Sequence, residues 1–124
     1  MTPPLTTPQA YRENTVLSAS PAQLVVMLYD GAQRFLRQAT VAMQAHEIER
    51  AHNALRRVEL ILAHLDGVLD HDQDARLAAQ LSSVYQFCLA HLQRARFEQD
   101  VGRLEEVAGL LGELRQSWAE IASG

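Results

Sequence analysis

The sequence predicts an all-α protein, an antiparallel up-down four-helix bundle preceded by a short N-terminal helix or cap segment. Three observations predict it. Apolar residues recur at 3–4 spacing along four successive stretches, the signature of amphipathic helices. All four prolines fall at or before residue 21, so nothing later in the chain has to break a helix. The gaps between stretches are short, which makes neighbouring helices run antiparallel. No strand signal and no internal repeat interrupts the pattern. A chain of 124 residues is enough for one domain that buries roughly two thirds of its unfolded surface. Residues 1–124 are therefore expected to form one domain, with 1–19 a mobile cap and 20–121 the bundle.

Residues 1–8 hold three prolines and three threonines and are expected to be extended or mobile. "QAYRENTVL", residues 9–17, fits a short helix that stops at "SAS". The first long helix starts at Ser20-Pro21 and runs to about Ala45. Serine caps the free N–H groups, proline suits the first helical position, and Gln23 completes a capping box. The second helix spans about Glu47 to Val68, with Ile48, Ala51, Leu55, Val58, Leu62, Leu65 and Leu69 on its stripe. The third begins near Asp74 and ends about Glu98, carrying Leu77, Leu81, Val84, Cys88, Leu92 and Ala95. The fourth begins at Asp100 and carries Leu104, Val107, Leu111, Leu114, Trp118 and Ile121. Asp74 and Asp100 are expected N-caps.

Composition narrows the function. The chain is 48% hydrophobic and 21% charged, typical of a globular protein, and its net charge of −4 argues against a nucleic-acid footprint. There is no lysine; every side-chain cation other than histidine is arginine. Cys88 is the single cysteine, expected as a small core residue. The N-terminus lacks the charged and apolar regions of a signal peptide, and no apolar run approaches the ~20 residues that span a bilayer. A cytoplasmic protein is expected. Glu49-x-x-His52 has the spacing of a di-iron bundle motif, but a second copy is missing, so no metal is expected. In "DGVLDHDQDA" the calcium-loop pattern fails at Ala75 and Leu81, leaving a solvated loop whose last aspartate caps a helix. No GxSxG, Walker loop or HExxH occurs. The sequence reads as a binding protein with no cofactor, not as an enzyme.

The first helix carries more apolar surface than a bundle requires. On a helical wheel with Leu24 at 0°, Leu24, Leu28, Gly31, Phe35, Ala39 and Ala42 centre the expected core arc, flanked by Val25, Ala32, Leu36 and Met43, with Tyr29 on the shoulder at about 140°. Asp30, Gln33, Arg34, Arg37 and Gln44 fill the solvent arc. Val26 and Met27, at about 200° and 300°, stand outside the core arc. Either the N-terminal segment, through Tyr11, Val16 and Leu17, or a partner segment covers them. On the fourth helix, Ala108, Gly109, Gly112 and Ala119 form a strip of small residues. It is either a flank packed on a neighbouring helix of the bundle or one wall of a groove for a partner helix.

Together these residues resemble the FliS family of flagellar secretion chaperones. The resemblance begins in "AYRENTVLSASPAQLVVMLYDGAQRFLRQA", where the pattern Tyr-x-x-Asn, Ser-Pro-x-x-Leu and Met-Leu-Tyr-Asp-Gly falls on Tyr11, Asn14, Ser20, Pro21, Leu24 and residues 27–31. It resumes at Leu81, Tyr85 and Leu92 and ends in "LEEVAGLLGELRQSWAEI", with Gly109, Leu114, Arg115 and Trp118. The resemblance implies a cytoplasmic, non-catalytic helical bundle that binds the C-terminal segment of flagellin and prevents premature polymerisation. It implies delivery of flagellin to the flagellar type III export apparatus, at a gate component resembling FlhA. It also implies that the N-terminal segment occupies part of the client surface when the client is absent. With the wheel analysis it nominates Tyr11, Asn14, Leu17, Val26, Met27, Tyr29, Ala108, Gly109 and Gly112 as flagellin-contact or groove residues. A homodimer is left open, and a helical adaptor or sensor for another amphipathic helix is the alternative function.

Overall fold

The computed structural model describes residues 18–124. Four helices make up this part: α1 (Pro21–Gln44), α2 (Ile48–Gly67), α3 (Ala75–Glu98) and α4 (Val101–Ser123). Each packs on the next, and α4 closes the ring against α1. The four-helix bundle expected from the sequence is therefore observed, with helix ends within a residue or two of the expected positions. The nominated residues Tyr11, Asn14 and Leu17, together with Val16 and the proposed cap segment up to residue 17, lie outside the described residues.

Local chemistry explains the helix ends. The Ser20 hydroxyl accepts from the Gln23 N–H at 3.2 Å, and the Gln23 carboxamide accepts from the Ser20 N–H at 2.8 Å. This reciprocal box satisfies two donors that the first turn leaves free. Asp74 accepts from the Leu77 N–H at 3.0 Å, and Asp100 from the Gly102 N–H at 3.0 Å. Two reversals are made without glycine. His46, after α1, and Gln99, after α3, adopt left-handed φ values of 59° and 54°. The Glu47 N–H then reaches back to the Ala42 carbonyl at 2.8 Å, and the Asp100 N–H to that of Ala95 at 3.0 Å. The first bond uses a carbonyl at the end of α1, and the second shares the Ala95 carbonyl with the Gln99 N–H.

The core is mostly aliphatic, with Tyr29 and Tyr85 its largest buried side chains. Leu36, Leu55, Val58, Leu62, Leu92, Leu104, Val107 and Leu111 are essentially inaccessible to solvent, and Ala32, Ala39, Ala51, Ala54 and Ala95 let the helices approach closely. Burying each leucine or valine contributes about 1.5–3 kcal/mol. The stripe expectations fail at their ends: Ile48, Leu77 and Ile121 are exposed.

The larger correction concerns α1. Its buried residues are Tyr29, Gly31, Ala32, Leu36, Ala39, Ala42 and Met43, while Leu24, expected at the core centre, is 38% exposed. The inward arc is shifted by about 20° toward Tyr29, enough to bury that residue and to leave Leu24 at the edge. The cause lies on the far flank: α4 packs beside Gln33, whose side-chain amide donates to the Ala108 carbonyl at 2.7 Å. A residue assigned to solvent thus becomes a helix-to-helix bond, and Arg115 of α4 clamps Asp30 through two bonds at 2.6 and 3.3 Å.

Candidate functional site

One end of the bundle gathers the start of α1, the end of α4 and the α2–α3 connection. Two clefts open there. The first, ≈ 500 Å³, is lined by Val25, Leu65, Leu69, Leu77, Leu81 and Val68, with Tyr85 and Trp118 in its wall. The second, ≈ 590 Å³, lies between α1 and α4 and is lined by Ser18, Ala19, Gln23, Val26, Met27, Ala119 and Ala122. Because Val25 and Val26 are neighbours pointing roughly 100° apart, the first turns of α1 form the ridge between the two clefts. Leu24, Met27, Val68, Leu77 and Ile121 leave much of their apolar surface exposed at this end.

Beneath the first cleft lies a buried phenol pair. The Tyr29 and Tyr85 oxygens are 2.5 Å apart, and both side chains are almost wholly buried. Trp118 stands in the same wall, and either phenol can donate to the other. Burial pushes the Tyr29 phenol above its ordinary value, the bond to Tyr85 adds to this, and the nearby Trp118 indole opposes it. Burial likewise raises Tyr85, with the bond to Tyr29 opposing. Both phenols stay neutral near pH 7 and serve as polar fastenings inside an apolar wall.

The nominated residues separate on this geometry. Val26 and Met27 meet in the second cleft; Val26 is half-buried because Ala119 and Ala122 of α4 come alongside, and Met27 remains 38% exposed. Tyr29 is corrected from a contact on the shoulder to a core residue, since α1 is rotated and Tyr85 supplies its partner. The small-residue strip of α4 is divided. A Cβ at Gly112 would sit 3.5 Å from the Gln33 amide nitrogen, so Gly112 and Ala108 belong to the α1–α4 contact, not to an open groove wall. Gly109 is exposed, and a Cβ there would meet nothing within 4 Å. The sequence reading missed the first cleft, in particular Val25, Leu69, Leu77 and the Tyr85–Trp118 wall. The available signal was chemical: two tyrosines beside core stripes need a hydrogen-bond partner if buried, and they can supply one another.

No other chemistry converges at this end. Among the described residues no group of three or more His, Cys, Asp or Glu could hold a metal ion. Glu49 and His52 are both exposed on α2. Asp70 turns the α2–α3 connection by accepting the Asp72 and Gln73 N–H groups at 3.1 Å each. Cys88 is buried, which pushes its thiol up to about 11. No helix among the described residues is long and apolar enough to cross a membrane.

Comparison with known proteins agrees with this architecture. A solved structure described as a flagellar chaperone from bacteria superposes with a TM-score of 0.77, covering 91% of this chain and 94% of that one at 16% identity, a likeness of fold. The flagellar secretion chaperone FliS of Bacillus subtilis (strain 168) is 31% identical over 111 residues, spanning 90% of this chain and 82% of that protein. The chaperone of the same name from Salmonella typhimurium is 32% identical over 111 residues, spanning 89% and 82%. The sequence model of the family described as Flagellar protein FliS matches residues 5–124. With nearly the whole sequence matched and a helical-bundle fold that carries the match, the chain belongs to the FliS family of flagellar proteins.

Proposed function

We infer that this protein is a flagellar secretion chaperone whose client is flagellin, held through its C-terminal helical segment. The observation that carries this reading is the apolar end of the bundle, where two clefts flank the first turns of α1 and Leu24 and Met27 stay exposed between helix ends. An amphipathic client helix sets anchors at i, i+3 and i+4 into such grooves. A client that is disordered beforehand loses entropy on ordering, so its affinity has to come from a wide surface and not from one pocket. Among the described residues, Val26, Met27 and Gly109 are the nominated residues that remain available for contact. Tyr11, Asn14 and Leu17, nominated for the same contact, lie outside the described residues.

In this reading the protein works in the bacterial cytoplasm without catalysis or cofactor. It hands flagellin to the export gate through a component resembling FlhA. Residues 1–124 act as one domain, and a homodimer would have to leave the apolar end free. Calorimetry with full-length flagellin and with flagellin lacking its C-terminal segment tests the proposal. Binding to the first and not to the second is expected. Equal binding to both sinks it, and failure to bind either favours the alternative, an adaptor for another amphipathic helix. Deleting residues 1–17 should alter client affinity while the helical thermal transition survives; loss of that transition would make the segment part of the core.

A further inference from the structure

Far from the clefts, the second half of α1 and the first half of α2 enclose a trough of ≈ 430 Å³. Four arginines rim it, Arg34 and Arg37 from α1 and Arg50 and Arg57 from α2, while Ala42 and Ala54 form a floor of small side chains. Elsewhere among the described residues three arginines meet carboxylates and three do not: Arg96 bonds Glu59, Arg103 lies 3.2 Å from Glu98 and 3.3 Å from Asp100, and Arg115 holds Asp30, while Arg56, Arg76 and Arg94 stand apart from one another without an ion pair and the trough gathers its guanidiniums into one place. In the trough only Arg50 has such a partner, an exposed Glu47 at 2.9 Å. Arg34, Arg37 and Arg57 have no carboxylate within ion-pair distance among the described residues, although the chain carries a net charge of −4.

Two of the unpaired guanidiniums are held in place by another group. The Arg34 and Arg57 guanidinium carbons lie 5.5 and 5.3 Å from the Phe35 ring centroid. Attraction to a ring face restrains a guanidinium without using its N–H donors, which remain free to bind a carboxylate in a fork. The spacing selects the ligand. Arg34 and Arg37 are one turn apart, and Arg50 and Arg57 two turns apart, so the donors extend over about 10 Å along the helices. One phosphate cannot reach across that span. Carboxylates at i, i+3 or i+4, and i+7 of a docked helix can. The small floor residues let such a helix settle between α1 and α2, and the acidic remainder of the protein disfavours a long polyanion or an anionic membrane.

We propose that the α1–α2 trough is a second docking site, for a short acidic helix of a partner protein, read by Arg34, Arg37 and Arg57. It lies on a different part of the bundle from the apolar clefts, so it does not depend on the flagellin reading and both sites can be filled together. The test titrates the full chain with an alanine-based helical peptide of about 20 residues. The peptide carries glutamates at i, i+4 and i+7, and a matched peptide carries glutamines there. Arginine Nε–Hε resonances report binding at about 20 and 200 mM salt. Saturable shifts of Arg34, Arg37 and Arg57 with the glutamate peptide are expected, weakening about tenfold at the higher salt. The exposed double substitution Arg34→Gln/Arg57→Gln should weaken binding about tenfold, while Arg76→Gln/Arg94→Gln on α3 leaves it unchanged. Equal binding of the glutamine peptide, or equal loss in the α3 variant, overturns the proposal. So does displacement of the peptide by inorganic phosphate at matching concentration, which would make this a site for free anions, or preferential binding to anionic phosphatidylglycerol vesicles. Absence of binding at low salt also overturns it.

Discussion

Replacing either Tyr29 or Tyr85 by phenylalanine should cost more than half of what replacing both costs, because the two phenols share one bond. In each single variant the ring still fits, but the remaining phenol oxygen loses the partner that stood 2.5 Å away. A stranded buried polar group costs about 1–3 kcal/mol, and both side chains are nearly inaccessible, so about 1–3 kcal/mol is expected for each single variant. In the double variant neither phenol remains to be stranded, so its cost should fall below the sum of the single costs by about 1–2 kcal/mol. Urea unfolding followed by helical circular dichroism and by Trp118 fluorescence measures all four corners. Strictly additive single effects would refute a shared buried bond between Tyr29 and Tyr85.

Three further outcomes are expected. Met27→Glu places a charge on a side chain that is already 38% exposed, so the urea midpoint should hold while flagellin affinity falls at least about tenfold, read by calorimetry. Gly109→Ala adds a Cβ in open space and should stabilise α4 by about 1 kcal/mol, whereas Gly112→Trp must displace Gln33 from the Ala108 carbonyl and should lower the unfolding midpoint; similar midpoints for the two would contradict the divided strip. Stability should decline in alkali. Cys88 rises from an ordinary value of 9.0 to about 11 on folding, so between these values the unfolded chain has released a proton that the folded chain retains. Stability then falls by about 1.4 kcal/mol per pH unit through that window for this group, fully present below pH 9 and lost toward 11, with Tyr29 and Tyr85 adding in the same sense. A flat profile from pH 8 to 11 in urea titrations would show that the three groups are not buried in this way.

Much of the architecture was legible because it depends on local rules. Ser20, Pro21 and Gln23 announce the start of α1 through groups only three residues apart, and Asp74 and Asp100 do the same for α3 and α4. The stripes of α2 through α4 place Leu55, Val58, Leu62, Cys88, Leu92, Leu104 and Leu111 inward, as their spacing requires. Both reversals with left-handed φ escaped the usual glycine signal, since His46 and Gln99 occupy those positions. Their αL geometry is sustained by bonds back to Ala42 and Ala95 and not by residue preference.

What the sequence by itself determined was the helical class, the number and extent of the four long helices among the described residues, the caps, and a motif-level likeness to a family that the comparison over residues 5–124 established. What only the tertiary structure decided was rotation. A helix with apolar residues over more than half its circumference can present several arcs to a core at similar hydrophobic gain, and periodicity does not choose among them. On α1 the choice falls to contacts distant in sequence: Tyr85 receiving Tyr29, the Ala108 carbonyl receiving Gln33, and Arg115 clasping Asp30. Those three contacts turn Tyr29 inward, leave Leu24 and Met27 at the surface, and divide Gly109 from Gly112. They set which apolar residues of one helix become core and which remain free for a client.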